Sequence, residues 1–393
     1  MVVVMNPVVL PSLILGAACT ASMPADVLTV PGDHPSIGAA VLAADNGDEI
    51  RIGPGTWFEN LYVGKRLTFV GAGQGQTIID GSQPTLYAFG SCMVATGIAA
   101  DVPVVTIESL TLRNGAGSEI YGVVRGGGIY NEGCRVVLNE VTIEDCAVVP
   151  QNPTDTEGWG GAICSYLGDC EVNSSILRNN SSFTRGGAIL CDFGEVVVND
   201  TLITGNTAAF QGGAIFLGGN LSSLQCRRST VCDNHSAYGG ALALFGFPGF
   251  ELEDCAFTGN HAGDGAALYM EATVSSIAAC SFEHNLPDPN GAVIRILDQP
   301  AFPEGGSIEV SGSVFCDTDQ GDWRSFISQP LPNQFAGTCG SPADLDRDGL
   351  VSGGDLSILL ANWGPVGPGV PGDLDCDGLV SGEDLARLLA DWS

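Results

Sequence analysis

Residues 160–163, 186–189 and 212–215 all read Gly-Gly-Ala-Ile, and residues 239–242 read Gly-Gly-Ala-Leu. Related triplets precede and follow this run, so that the phrase recurs seven times. Its last residue falls at Ile129, Ile163, Ile189, Ile215, Leu242, Leu268 and Val293. After a first step of 34 residues, the steps are 26, 26, 27, 26 and 25 residues. A fixed period of this length is typical of a solenoid.

A second phrase runs in phase with the first, an apolar residue followed three positions later by asparagine. The asparagines are Asn180, Asn206, Asn234, Asn260 and Asn285. In one coil after another a small residue lies two positions before the apolar one, as Ser175, Thr201, Ser229, Cys255 and Cys280 do. We therefore predict a ladder of stacked asparagine amides beside a ladder of small side chains.

The segments between the repeated glycines favour strands over helices. Short β-branched runs such as Glu195–Val198 are broken by Gly, Asn and Asp, which tolerate turns. About 26 residues are enough for three short strands and three turns at ~3.3 Å per strand residue. The fold prediction is an all-β chain forming a right-handed parallel β-helix, followed by a small α-helical C-terminal domain.

Composition limits the classes of partner. The 393-residue chain carries a formal net charge of −31, which disfavours nucleic acid and anionic membrane surfaces. A polyanionic glycan would need a bridging cation. The 14 cysteines indicate an oxidising compartment. The pairs Cys134/Cys146, Cys164/Cys170 and Cys316/Cys339 are candidate disulfides whose pairing the sequence does not fix.

Residues 1–21 are typical of a secretory signal peptide, since an apolar run from Val2 to Leu15 is followed by small residues. The expected location is secreted, extracellular or at the cell surface, with no transmembrane segment in the mature chain. A lipid on Cys19 and a short membrane anchor are the alternatives.

Residues 22–316 are assigned to the β-helix and its N-terminal cap, in which residues 35–45 are predicted to form a short helix. The stretch GDEIRIGPGTWFENLYVGKRLTFVGAGQGQTIIDG, residues 47–81, resembles the opening of pectin-lyase-like β-helix proteins. The glycine and asparagine phrases of residues 160–294 resemble the GGAI and FxxN repeats of polymorphic outer-membrane proteins. That resemblance implies a β-helical surface protein, and residues 317–343 are predicted to be a linker.

Residues 344–393 hold two acidic loops with the same spacing. Oxygen donors stand at loop positions 1, 3, 5, 9 and 12, a backbone carbonyl is available at position 7, and glycine occupies position 6. The predicted ligands of the two loops are Asp344, Asp346, Asp348, Leu350, Ser352 and Asp355, and Asp373, Asp375, Asp377, Leu379, Ser381 and Asp384. This donor set predicts two Ca2+ sites, each loop opening into a short helix, at 356–363 and 385–392.

The paired loops resemble a dockerin type I module with twin EF-hand-type sites. The resemblance implies a cohesin-like or cell-envelope protein partner that binds through residues 344–393. A possible polysaccharide ligand along the β-helix is the second predicted partner, and nucleic acid is not expected.

No catalytic signature of related β-helix lyases or polygalacturonases occurs in the chain. Scattered carboxylates could still form a glycosidase pair, among them Asp200, Asp233, Glu251, Glu253 and Asp254. Whether the protein is an enzyme stays open, and no catalytic residue is assigned. The first hypothesis is a secreted calcium-binding surface protein that binds carbohydrate. The alternative is a polysaccharide lyase or glycoside hydrolase.

Overall fold

The computed structural model describes residues 25–82, 89–97, 102–120, 122–150, 157–246, 249–271, 275–297, 308–316, 327–328, 333–336, 339–368 and 370–393. The predicted signal peptide, residues 1–21, lies outside the described residues. So do most of the segment predicted as a linker and residues 151–156, which fall within the 34-residue first step.

Three long parallel sheets form the walls of a β-helix, which confirms the predicted fold. Sheet 1 contains the strands Val27–Val30, Glu49–Ile52, Gly55–Trp57, Leu67–Val70, Thr77–Asp80, Val104–Arg113, Arg135–Glu144, Asp169–Asn173, Ile176–Arg178, Glu195–Asn199, Leu202–Thr204, Ser223–Arg227, Thr230–Cys232, Gly249–Glu253, Ala256–Thr258, Ser275–Ala278, Ser281–Glu283, Ile308–Ser311, Val314–Cys316, Ile327–Ser328 and Gln334–Ala336. Sheet 2 contains Leu61–Val63, Met93–Thr96, Ile129–Glu132, Ile163–Tyr166, Ile189–Asp192, Ile215–Gly218, Leu242–Leu244, Leu268–Glu271 and Ile294–Leu297. Sheet 3 contains Ala147–Val148, Ser181–Ser182, Thr207–Ala208, His235–Tyr238, His261–Asp264 and Leu286–Pro287.

Two smaller sheets complete the described strands. The first is partly antiparallel and contains Phe89–Gly90, Gly117–Ile120, Val123–Arg125 and Gly158–Trp159. The second is an antiparallel pair in the C-terminal module, Gly364–Pro365 with Leu379–Val380. Sheet 1 also extends beyond the predicted boundary at residue 316, because Ile327–Ser328 and Gln334–Ala336 pair with the preceding coil.

The repeated phrase sets the register of sheet 2. Ile163 lies over Ile189, and Ile189 over Ile215, with each side chain fully buried in the core. The last copy differs from the sequence prediction, because Leu268 pairs with Ile294 rather than with Val293. The spacing of the glycine phrase therefore misplaces the partner of Leu268 by one residue. Val293 is nevertheless 1% exposed, so both residues belong to the core.

The predicted asparagine ladder is confirmed. The Asn206 amide nitrogen donates to the Asn234 side-chain oxygen at 3.0 Å, and Asn234 donates in the same way to Asn260 at 3.0 Å. Each amide also bonds to backbone, as Asn206 does to the Leu177 carbonyl at 2.9 Å. The five amides thus satisfy one another and need no ligand.

The Gly-Gly pairs are required by the close approach of backbone at one corner of each coil. Gly186 has φ +64°, and a Cβ there would lie 2.4 Å from the Ile189 carbonyl oxygen. A Cβ on Gly187 would lie 2.1 Å from the Gly213 carbonyl oxygen in the next coil. The first glycine therefore makes the turn, and the second lets neighbouring coils hydrogen-bond at the corner.

A short helix, Ile37–Ala43, caps the N-terminal end of the solenoid. It buries Ile37, Ala40 and Val41, whereas Leu42 is 82% exposed. At 100° per residue Leu42 lies about 140° around the helix from Ile37, so it faces away from the core. Lys65 donates to the Val41, Leu42 and Ala44 carbonyls and so satisfies the end of the helix.

Cysteine and phenylalanine side chains continue the ladders inside the solenoid. Of the three candidate disulfides, Cys316–Cys339 is formed, while Cys134, Cys146, Cys164 and Cys170 are free and buried. The rings of Phe257, Phe282 and Phe315 stack on successive coils at 4.9 Å.

The C-terminal module has two helices, Gly353–Ala361 and Gly382–Ala390, around a small core that includes Leu359, Val380 and Leu388. Both helices begin three residues earlier than predicted, because Ser352 and Ser381 cap them. None of the described helices is long and apolar enough to cross a membrane.

Candidate functional site

The first acidic loop gathers three carboxylates before its helix. Asp344, Asp346 and Asp348 each place an oxygen within 4.8 Å of the others. Backbone amides hold two of these carboxylates in the turn. The Gly349 amide donates to Asp344 Oδ2 at 2.9 Å, and the Asp348 amide donates to both Asp344 and Asp346 at 3.1 Å.

The second acidic loop repeats this geometry with Asp373, Asp375 and Asp377. Burial, together with the Asp384 and Asp377 charges, raises the pKa of Asp373 to about 6. Burial and the same two charges also raise the pKa of Asp375. The loop thus concentrates negative charge that a cation would neutralise.

The other predicted side-chain ligands, at loop positions 9 and 12, cap the helices and bind backbone amides of the loops. The buried carboxylate of Asp355 accepts from the Leu345 and Ser352 amides at 2.6 and 2.7 Å. Asp384 accepts from the Leu374 and Ser381 amides at 2.7 Å each. Both aspartates form capping boxes with their serines. The first three carboxylates of each loop therefore converge, and the ninth and twelfth positions fasten the loop to its helix.

The donor set of the loops fits a hard divalent cation. Three carboxylates converge in each turn, and no nitrogen or sulfur ligand accompanies them in either cluster of the described chain. Oxygen-only donors are those that Ca2+ prefers. The residues present would hold the ion through Asp344, Asp346 and Asp348 in one loop and through Asp373, Asp375 and Asp377 in the other.

A second candidate site is a run of aromatic side chains outside sheet 2, here called the aromatic face. It consists of Tyr130, Trp159, Tyr166, Phe193, Phe210, Phe216, Tyr238, Phe245 and Tyr269. Two features place them together. Outward positions of sheet 2 lie in register, and so do the residues directly before each Gly-Gly pair, where Trp159, Arg185, Gln211 and Tyr238 form successive bridges.

Arg125 organises one end of the aromatic face. Its guanidinium carbon lies 4.9 Å from the Trp159 ring centroid, 5.3 Å from Tyr166 and 5.8 Å from Tyr130. One terminal nitrogen donates to the Tyr130 hydroxyl at 3.3 Å, and the Nε atom is buried without a hydrogen-bond partner. The side chain is only 7% exposed, so an orphaned donor is held under the aromatic rings.

The other end of the face is a chain of ring contacts across three coils. Phe210 meets Tyr238 at 5.4 Å, Tyr238 meets Tyr269 at 5.1 Å, and Tyr269 meets Phe245 at 5.7 Å. Phe210 is 47% exposed. Asp264, which pairs with Tyr238 in the neighbouring coil, accepts from Arg295 at 2.7 Å. Exposed rings beside fixed charges provide both stacking surfaces and hydrogen-bonding groups.

Asp192 pairs with Tyr166 of the preceding coil, on the aromatic face. Burial raises the pKa of this carboxyl, and the charges of Arg185 and Arg125 partly oppose the rise. Its neighbour in the next coil is Gly218, where a Cβ would lie 2.2 Å from Asp192 Oδ1. Asp192 is a half-buried acid on an aromatic surface, the kind of group that can bind a hydroxyl or donate a proton.

Three of the five carboxylates named from the sequence as candidates for a glycosidase pair are held in ion pairs. Asp200 is held by Arg228 through bonds of 2.8 and 2.7 Å. Glu251 and Glu253 both pair with Arg227, at 3.0 and 3.2 Å. These ion pairs occupy the charges that catalysis would use.

Two histidines stack as the period predicts. His235 and His261 lie 4.8 Å apart between ring centroids, and His284 instead donates to the Gly340 carbonyl at 2.8 Å. In addition, His261 lies 3.6 Å from the exposed Asp288. His235 and His261 begin paired strands of sheet 3, and neither belongs to the aromatic face.

Sequence reasoning missed the aromatic face because its members differ in identity from coil to coil. One signal was available. The residue before each Gly-Gly pair is in phase, and it reads Arg125, Trp159, Arg185, Gln211 and Tyr238. Large or charged side chains at a repeated corner indicate an outward ladder.

Comparisons with known proteins find one family model and several similar solved structures. The Chlamydia polymorphic membrane protein repeat model matches residues 200–218. No curated protein sequence matches the chain at a significant level. The solved structures that are similar include the Azotobacter vinelandii mannuronan C-5 epimerase AlgE4 A-module, at 14% identity and a TM-score of 0.34, covering 76% of this chain and 89% of that one. Carrot pectin methylesterase is similar at 14% identity and a TM-score of 0.30, covering 81% of this chain and 85% of that one. The Geobacillus virus E2 protein ORF18 is similar at 10% identity and a TM-score of 0.37, covering 80% of this chain and 62% of that one.

Proposed function

We propose that this protein is an exported surface or extracellular β-helix that binds a polysaccharide along its aromatic face without cleaving it. The observation that carries the proposal is the aromatic face, which exposes the Phe193 and Phe210 rings and carries Arg125, Arg185 and Asp192. Pyranose rings present C–H faces that stack on aromatic side chains, and their hydroxyls bond to guanidinium and carboxylate groups. Parallel strands about 4.8 Å apart repeat these groups along a linear chain.

The second part of the proposal is that residues 344–393 bind two Ca2+ ions and act as a docking module. The converging carboxylates of each loop support it, as does the resemblance to dockerin modules. Calcium would hold each loop in the turn that the capped helices already define. A cohesin-like or cell-envelope protein is the kind of partner that such a module binds.

Asp192 favours a second candidate function, a polysaccharide lyase or glycoside hydrolase. A carboxyl with a raised pKa beside two arginines is a candidate acid. Glycosidases use a pair of carboxylates, whereas the charged groups that act on the Asp192 carboxyl are Arg185 and Arg125. Binding without cleavage is therefore the better supported function.

A polysaccharide panel separates the two functions. The full-length protein is incubated with neutral and uronate-containing polysaccharides, with calcium. Retention on an insoluble or gel-embedded glycan is measured together with reducing ends and with unsaturated products that absorb in the ultraviolet. Retention without either product supports the binding function. Products that disappear in Asp192→Asn would establish the enzyme instead, and absence of both retention and products would overturn the proposal.

A further inference from the structure

The C-terminal module lies against the outer surface of sheet 1, and its first acidic loop contacts that surface. Arg347, within the loop, donates to Glu283 at 3.2 Å. The neighbouring His284 bonds to the Gly340 carbonyl at 2.8 Å, and its backbone amide donates to the Cys339 sulfur at 3.2 Å. The module is therefore packed on the wall of the solenoid.

The second acidic loop contacts the same wall through sulfur and apolar groups. Cys376, between two of the loop aspartates, clusters with Leu202 and Cys232, and Ile176 borders the cluster. Cys232 ends a strand of sheet 1 with its side chain directed outward, toward the module. Gly378 follows in the loop, and a Cβ on it would lie 3.4 Å from Leu202. The loop thus fits closely on an apolar patch of the solenoid.

Cys232 and Cys376 are both free cysteines of this buried cluster, although one belongs to the solenoid and the other to the module. Cys232 is fully buried and Cys376 is 9% exposed. Cys376 is the one cysteine in the sequence of residues 344–393, so any disulfide that it forms within the protein joins it to a cysteine outside the module.

We propose that Cys232 and Cys376 form a disulfide that fastens the C-terminal module to the wall of the β-helix. The oxidant is a protein or small-molecule disulfide. A Cys376 thiolate attacks one sulfur of that disulfide, forming a mixed disulfide and releasing one thiol. Cys232 then displaces the second sulfur. The two cysteines lose two protons and two electrons in total, and the oxidant is reduced to two thiols.

Other close cysteines of the described chain lie inside the solenoid rather than at this junction. Cys255 and Cys226, with sulfurs 3.6 Å apart, occupy neighbouring coils of the core, and neither side chain is more than 3% exposed. Cys376 instead reaches its partner only when the module packs on sheet 1, so it is open to an oxidant beforehand. The disulfide would keep the module in place when the acidic loops lose their cation.

Counting free thiols in the parent, in two single variants and in their double variant tests the disulfide. Full-length protein is folded under oxidising conditions, denatured without reductant, and titrated with a thiol reagent. If the disulfide exists, Cys232→Ser and Cys376→Ser each release the partner thiol, so each count rises by one, and the double variant matches the parent. Cys134→Ser is the control, because Cys134 is a free buried cysteine without a cysteine partner. Its count falls by one.

The opposite result is equally clear. If each single variant loses one thiol and the double variant loses two, both cysteines are free in the folded protein and the proposal is overturned. Because thiols are counted in denaturant, the result does not depend on how stable each variant is. Peptide mapping then checks the pair directly, since the linked peptides are lighter than the two reduced peptides by two hydrogen atoms.

Discussion

At the scale of single residues, the solenoid places each inward side chain against its equivalents in the coils on either side. Ile215 lies between Ile189 and Leu242 and is fully buried. A change at such a position affects three coils at once, and a new charge there would be shielded from solvent by the core.

The substitution Ile215→Asp is expected to lower the free energy of unfolding by several kcal/mol, on the order of 3–5, because it buries an unpaired carboxylate. Leu221→Asp is the matched control, since Leu221 is 82% exposed. Urea unfolding followed by circular dichroism measures both. Equal midpoints for Ile215→Asp and the parent would show that the inward assignment is wrong.

The raised pKa of Asp373 predicts how metal binding by the second loop depends on pH. Its pKa of about 6 exceeds the usual carboxyl value, so the metal-free folded loop holds a proton that the unfolded chain has released. Without metal, stability of the module therefore falls as pH rises from about 4 to 6. Calcium competes with that proton, so its affinity should weaken below pH 6, by roughly tenfold at pH 5. Calorimetric titration at pH 5 and pH 7 measures this, and an unchanged dissociation constant would contradict it.

At the scale of elements, the corner of each coil depends on one glycine that touches the next coil. Gly187→Ala would bring a Cβ to 2.1 Å from the Gly213 carbonyl oxygen, and the backbone would have to move. The expected loss of unfolding free energy is about 1–3 kcal/mol. Gly249→Ala is the control, because nothing lies within 4 Å of its Cβ position. A chemical unfolding curve for Gly187→Ala that overlays the control would refute the close-approach role.

The elements that sequence could predict are those whose residue type is fixed by contact with an identical copy. The asparagine amides and inward aliphatic residues stack on themselves, so their identities recur with the period. The outward positions do not have this constraint. The position before the Gly-Gly pair, for example, is occupied in successive coils by Trp159, Arg185 and Gln211. The packing of the module on sheet 1 depends on residues far apart in sequence, such as Arg347 and Glu283, which leave no periodic mark.

At the scale of the whole molecule, charged side chains are concentrated in two regions. Arginines lie among the rings of the aromatic face, whereas three aspartates converge in each acidic loop. Backbone amides and capped helices hold these loops in their turns, where the converging carboxylates repel one another. Calcium should therefore order the module without affecting the solenoid.

The double variant Asp344→Ala with Asp373→Ala is expected to abolish calcium binding while leaving solenoid melting unchanged. With the full chain, hydrogen exchange in residues 344–393 should slow when calcium is added to chelated protein, with a midpoint on the order of micromolar to sub-millimolar. Asp391→Ala, outside both clusters, is the control. Equal protection in chelated and calcium-loaded protein, or the same effect from magnesium, would contradict the calcium assignment.

The most direct test of the glycan-binding function compares two equally exposed phenylalanines. Phe210 belongs to the aromatic face and is 47% exposed, and Phe58 lies outside it and is 48% exposed. The dissociation constant for a polysaccharide retained in the panel is measured for the parent, Phe210→Ala and Phe58→Ala. We predict that Phe210→Ala binds about tenfold more weakly, a loss of ~1.4 kcal/mol, because one stacking surface is gone, while Phe58→Ala binds like the parent. Equal affinities for all three proteins would contradict the assignment of glycan binding to the aromatic face.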